Sequence, residues 1–177
     1  MPLVLNEDQN MLKDSAKNFC ADNTPITQLR RLRDDNDSLG YDKKTWDQMV
    51  ELGWSGITIP EAYGGSGFGY MGLGVVLEEC GRTLAASPLF ATAALGTSAL
   101  IYGGSEEMKT GLLGQVAEGK LLLALALDET AHHSPYKIKS KVEKAGSGYE
   151  ISGTKNFVLD GHVARSEEHT SELQSSM

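Results

Sequence analysis

An α+β fold, an N-terminal all-helical domain followed by a truncated antiparallel β-domain, is predicted by three observations. Apolar residues recur at helical spacing, in steps of three and four, through residues 1–119. From Lys120 onward short apolar or alternating runs are separated by glycine turns, the signature of strands. Helices come first and strands after, so βαβ alternation and a parallel sheet are excluded. The organisation read from the sequence is a helical domain over 1–119, part of a β-domain over 120–164, and a tail over 165–177.

The 177 residues, 40% of them hydrophobic, suffice for one packed domain and part of a second. A net charge of -8 argues against nucleic acid or an anionic membrane surface as partner, because both need a positive field. The first residues carry no basic region followed by an apolar stretch, and the longest apolar run, Leu121 to Leu127, is far short of a membrane span. A cytoplasmic location follows as the expectation. Cys20 and Cys80 lack paired spacing and a His/Cys cluster, so they read as two buried thiols rather than a disulfide or zinc site.

Each helix has its own signals. Asn6 can cap a first helix with Gln9 three residues on, and Leu12, Ala16, Phe19 and Cys20 share a face. Thr24-Pro25 reads as the cap of a second, with Ile26, Leu29 and Leu32 inward and Arg30, Arg31 and Arg33 wet. Asp42 caps a third, with Trp46, Met49 and Val50 on one side and Gly53 as its stop. The stretch from Ile57 to Gly72 contains Pro60 and five glycines after it, and reads as loop. A fourth helix carries Leu73, Val76, Leu77, Cys80 and Leu84 inward and Glu78, Glu79 and Arg82 outward. Ser87-Pro88 opens a fifth, apolar nearly all round to Ile101, hence buried. Ser105 caps the last, lined by Met108, Leu112, Val116 and Ala117 and ended by Gly119.

Four strands are expected next. Leu121–Leu127 is a continuous apolar run, read as buried on both faces. Lys137–Val142 alternates, with Ile138 and Val142 inward, and Tyr149–Ser152 and Asn156–Leu159 follow the turns at Ala145–Gly148 and Gly153–Lys155.

Gly67-Phe68-Gly69-Tyr70-Met71-Gly72 fits the G-x-G-x-x-G pattern of a dinucleotide-binding turn. That turn needs a buried strand before it and an acid about 20 residues after it. Here Pro60 breaks the preceding stretch and the region from Pro88 to Thr92 holds no acid, so the glycines read as a packing loop.

Ile59-Pro60-Glu61, Tyr63-Gly64-Gly65 and Gly67, together with Gly103-Gly104-Ser105-Glu106-Glu107-Met108-Lys109 and Gly119-Lys120, resemble the N-terminal domain of the acyl-CoA dehydrogenases. The likeness runs from residue 1 to about residue 164. It implies an FAD-dependent oxidoreductase that converts an acyl-CoA thioester to the trans-2-enoyl-CoA and passes electrons to an electron-transfer flavoprotein. It also implies a homo- or hetero-oligomer, and a C-terminal helical domain that supplies the catalytic glutamate base.

The family's flavin cradle, a strand ending in Thr-Glu-Pro and then Gly-x-Gly-Ser, matches Leu125-Ala126-Leu127-Asp128-Glu129-Thr130-Ala131-His132-His133-Ser134. Glu129 and Ser134 agree, whereas Asp128, Thr130 and His133 depart. The family's Trp-Ile-Thr corresponds to Phe157-Val158-Leu159. The resemblance thus assigns cofactor binding to Leu125, Leu127, Asp128, Ser134, Phe157, Val158 and Leu159, substrate contact also to Ser134, and the catalytic base to no residue of this chain. Asp128 and Glu129 read as a strand end, His132 and His133 as loop residues, and the lysines at 137, 139, 141 and 144 as a solvated face.

From Arg165 to Met177 no strand or helix stripe can be read, and Arg165 to Ser175 resembles a translated sequencing adapter. The expectation is therefore an inactive fragment of such an enzyme. The alternative is a non-catalytic subunit or binding module of the same fold.

Overall fold

The structure, a computed structural model, describes residues 4–146 and 148–166. Six α-helices pack first: α1 Glu7–Asn23, α2 Ile26–Asp34, α3 Lys43–Glu51, α4 Gly69–Thr83, α5 Thr97–Gly103 and α6 Glu106–Ala117. A π-helix over Phe90–Gly96 leads into α5, and four short strands follow: β1 Leu121–Leu122, β2 Lys141–Ala145, β3 Gly148–Ser152 and β4 Arg165–Ser166. The α then β order holds.

The local caps explain most helix starts. Asn6 accepts from the Gln9 amide while the Gln9 side chain accepts from the Asn6 amide, a complete capping box. Asp42 and Ser105 accept from the amides of Thr45 and Met108. Gly53 and Gly119 take positive φ at helix ends, as their places after α3 and α6 require. Thr24 does not cap α2: its hydroxyl donates to the Cys20 carbonyl and pairs with Thr83, so it finishes α1 instead.

The main core joins α1, α3, α4 and the segment after α3 through Ala16, Cys20, Trp46, Met49, Trp54, Ile57, Val76 and Leu89. Phe19 meets Trp54 edge to face at 5.0 Å. The Cys20 and Cys80 sulfurs, sixty positions apart, come within 3.7 Å. A second cluster of Ile59, Leu113, Val116 and Leu121 carries the helices onto the first strand.

Glu79 reverses its expected place. It is 2% exposed against α1, where Arg82 and Lys13 lie at 2.9 and 3.9 Å from its carboxylate. Helical period put it outward, yet the two flanking cations let it sit inside.

The first half of the loop is buried, Trp54 to Ile59 without exception, whereas Gly64, Ser66 and Gly67 beyond Pro60 are exposed. The loop's backbone is satisfied internally: the Ser66, Gly67 and Gly69 amides donate to the carbonyls of Gly56, Ile59 and Ile57. A Cβ on Gly65 would lie 2.1 Å from the Ile59 carbonyl oxygen, so that fold-back admits only glycine.

The loop also supports the π-helix. The Thr58 hydroxyl donates to the Ala93 carbonyl at 2.8 Å, inside the segment where the i to i+4 ladder is broken. Thr92 holds β1's extension from the other side, accepting from the Leu123 amide and donating to the Leu123 carbonyl. A Cβ on Gly96 would lie 2.2 Å from Leu123 Cβ, so the chain leaving β1 rests directly on the π-helix.

The β region departs from expectation. Strand pairing covers only Leu121–Leu122 of the apolar run, and Leu125 and Leu127 are 37% and 42% exposed. β2 begins at Lys141 and pairs antiparallel with β3, Val142 opposite Ile151, and both side chains are exposed rather than inward. Asn156–Leu159 is not a strand, because Phe157 takes φ 55° and the chain turns at Asp160. Arg165 and Ser166, assigned to the tail, pair with Leu122 and Leu121 as β4. The rest of the tail, 167–177, lies outside the described residues, as does Ser147 of the expected turn. These runs have strand chemistry with no sheet on their other side, and a strand takes its shape from its partners.

Thr58→Val keeps the shape of the side chain and removes the buried hydrogen bond to the Ala93 carbonyl. It is expected to cost about 1–3 kcal/mol in denaturant unfolding, with Thr58→Ser recovering most of the loss.

Candidate cofactor-binding site

The two stretches assigned to the cofactor come side by side. The Asn156 amide donates to the Asp128 carbonyl at 2.7 Å, and Lys155 Nζ donates to the Leu127 carbonyl at 3.2 Å. Leu125 and Leu127 of the first stretch, and Phe157 and Leu159 of the second, leave apolar surface open to solvent, Phe157 being 81% exposed. Val158 is half-buried. Ser134 is half-buried as well, in the loop that returns to Asp128.

Two acids build this neighbourhood. Asp128 accepts from the Ser134 amide at 2.8 Å with one oxygen and meets His133 Nδ1 at 2.9 Å with the other. These contacts, His133 first, hold its carboxyl below the usual range. Glu129 is more deeply engaged, its side chain only 4% exposed. It accepts from Lys155 Nζ at 2.8 Å, the Ser140 hydroxyl at 2.6 Å and the Ser140 amide at 3.1 Å, and from the Lys139 amide. The Lys155 contact leads the effects that pull its carboxyl from an ordinary 4.5 down to about 2. Gly153 lets the chain pass close to this cluster, since a Cβ there would lie 2.1 Å from Ser140 Oγ.

Glu129 is therefore a clasp over three segments, 127–129, 139–140 and 155, rather than the end of a strand. Sequence reading missed Lys155 and Ser140 because contacts across 26 and 11 positions leave no periodic trace. His132 and His133 do lie in a loop, and only His133 touches Asp128. The lysines at 137, 139, 141 and 144 are exposed.

An open groove of about 470 Å³ lined by His133, Ser134, Pro135, Tyr136 and Lys137 adjoins the Asp128 loop. A cleft of similar size, about 480 Å³, is lined by residues of α1, α2 and α3 such as Gln28, Arg31 and Thr45, and holds none of the assigned residues. Among the described residues no group of three His, Cys, Asp or Glu could hold a metal, and no helix is long and apolar enough to cross a membrane.

The arrangement fits one face of a planar, largely apolar cofactor. Leu125, Leu127, Phe157 and Leu159 offer the apolar contact, and Lys155 and Asn156 fix the spacing of the two stretches. Asp128 already spends one acceptor position of each carboxylate oxygen, on His133 and on the Ser134 amide. The partners of Asp128 and Glu129 hold both carboxyls below the usual range, which makes each a weaker proton acceptor than a free carboxylate.

Residues 6–120 match the family described as acyl-CoA dehydrogenase, N-terminal domain. Cyclohex-1-ene-1-carbonyl-CoA dehydrogenase of Geobacter metallireducens is 34% identical over 163 residues, which are 90% of this chain and 42% of that protein. Mitochondrial isovaleryl-CoA dehydrogenase of Bos taurus is 31% identical over 160 residues, 89% of this chain and 37% of that protein. Among solved structures, a chain of the ChsE4-ChsE5 complex from Mycobacterium tuberculosis superposes with a TM-score of 0.79 at 27% identity, over 93% of this chain and 43% of that one. The chain spans about two-fifths of the length of the curated relatives it matches.

Protonating Glu129 removes its acceptor role, and a depressed pKa means its stabilisation is present above pH 4.5 and lost as pH falls through about 2. Hydrogen-exchange mass spectrometry should find peptides spanning 127–140 and 152–158 protected at pH 7 and opening toward pH 2. Glu129→Gln should open them at pH 7 already and flatten the acid dependence.

Proposed function

The chain belongs to the acyl-CoA dehydrogenase family, and on that premise we propose that it forms the N-terminal and partial middle domains of an FAD-dependent enzyme oxidising an acyl-CoA thioester to the trans-2-enoyl-CoA. The observation that supports this most is the contact between the two cofactor stretches, Asn156 N–H to the Asp128 carbonyl at 2.7 Å. It ties the stretch that carries Leu125 and Leu127 to the one that carries Phe157, Val158 and Leu159, which supports reading their exposed apolar area as a seat for a flavin ring. FAD, when bound, supplies the acceptor for the hydride that leaves the β-carbon.

The chain's own residues do the seating. Lys155 and Glu129 hold the seat's backbone in place, and the half-buried Ser134, one of the residues lining the groove of His133 to Lys137, takes the contact to the cofactor edge and the thioester in this reading. No carboxylate here is assigned the removal of the α-proton, so that base comes from elsewhere in the working enzyme. We further propose an oligomer, cytoplasmic, that hands its electrons to an electron-transfer flavoprotein.

A second reading is favoured by one observation. Asp128 stands where the family has threonine, and its carboxylate is turned onto His133 and Ser134. A non-catalytic subunit of the same fold, binding acyl-CoA or a partner subunit, could dispense with that contact.

The purified 177-residue chain is expected to retain FAD weakly and to form no enoyl thioester from acyl-CoA. Stoichiometric flavin with turnover would overturn the reading of an inactive fragment. Sequencing the intact gene separates enzyme from non-catalytic subunit, through the presence or absence of a glutamate at the family's base position.

A further inference from the structure

Two thiols that share no sequence motif meet at the centre of the α1–α4 seam. Cys20 and Cys80 are 2% and 6% exposed, and their sulfurs stand 3.7 Å apart. The seam is pinned on both sides of them. Lys13 Nζ reaches Glu78 at 3.3 Å, and the Thr24 and Thr83 hydroxyls bond at 2.7 Å. The pair is thus held close, and a disulfide of about 2.05 Å requires the two sulfurs to draw nearer across the seam.

The geometry points to Cys20 and Cys80 as a dithiol that a hydroperoxide converts to an α1–α4 disulfide. Deprotonated Cys20 sulfur attacks the distal oxygen of the hydroperoxide, breaking the O–O bond. Cys20 becomes a sulfenic acid, and the rest of the oxidant leaves as water or an alcohol. Cys80 sulfur then attacks the Cys20 sulfur, the S–O bond breaks, and the oxygen departs as water with the Cys80 proton. Two thiols lose two electrons and two protons, and the peroxide O–O bond takes up both pairs.

Cys20 is suited to attack first. Its hydrogen bond with Cys80 lowers its pKa against the opposing effect of burial, while the Cys80 pKa is pushed up by that same bond and by burial. Because both sulfurs are buried, the oxidant enters through local opening of the seam, which makes the reaction slow and selective for small peroxides. The product ties α1 to α4 across the sixty-residue interval between them, a long loop whose closure restricts the unfolded chain.

The full chain is incubated with hydrogen peroxide, quenched, denatured, alkylated and mapped without reductant. Expected are loss of both alkylation sites, a mass lower by two hydrogens, and one cross-linked peptide pair holding Cys20 and Cys80. The thermal midpoint should rise by roughly 10 °C, and dithiothreitol should restore both the thiols and the midpoint. Cys80→Ala, which keeps a small apolar side chain, should fold and leave Cys20 trappable as a sulfenic acid by dimedone. Two thiols still alkylated after peroxide, oxygen added to each sulfur without a cross-link, or cross-links only between chains would each overturn the assignment.

Discussion

A loop that runs through the interior has to satisfy its own backbone, and the segment from Trp54 to Gly69 meets that demand. Six successive residues, 54 to 59, are buried without helix or strand to pair their amides and carbonyls. The chain folds back through Gly65, Gly67 and Gly69, whose amides, with that of Ser66, reach the carbonyls of Pro60, Ile59, Ile57 and Gly56. Both cores hang on the result, since Trp54 and Ile57 belong to the first and Ile59 to the second. Ser55 extends the reach by donating to the Ala117 carbonyl at the end of α6. The glycines that mimic a dinucleotide-binding turn are there for close approach of backbone to backbone.

The helical half was legible in the sequence because its signals are local. Asn6 with Gln9, Asp42 and Ser105 act within three residues of themselves, and Gly53 and Gly119 within one turn. What escaped was set by neighbours from elsewhere. Glu79 turns inward only because Lys13 of another helix and Arg82 flank it. Leu113, fully buried, sits one step off the stripe read for α6. The thiol pair needs α1 and α4 to pack before it exists.

The site was legible in its parts and illegible in its joinery. The two stretches were marked by resemblance, and they do lie together. The clasp that joins them, Glu129 with Lys155 and Ser140, spans turns that sequence read as mere punctuation. The extent of the strands was overread for a physical reason. Leu123 to Leu127 and Asn156 to Leu159 carry strand composition, but composition gives a surface fit for a sheet and not the sheet itself. Their exposed leucines and Phe157 are the same property seen from outside: apolar area offered to whatever next packs against it.

The π-helix over Phe90–Gly96 has a role in phase. A wide turn carries an extra residue relative to an α-helix, and one inserted residue rotates everything beyond it by about 100°. Leu100 and Ile101 reach the second core, and Tyr102 stays outside, on the far side of that offset. Removing a single residue between Phe90 and Gly96 would restore regular helix and swing those side chains to a different face. The segment works as a gear with one added tooth, setting which face of α5 meets α6 while Thr92 and Gly96 grip the chain that leaves β1 toward Asp128 and Glu129.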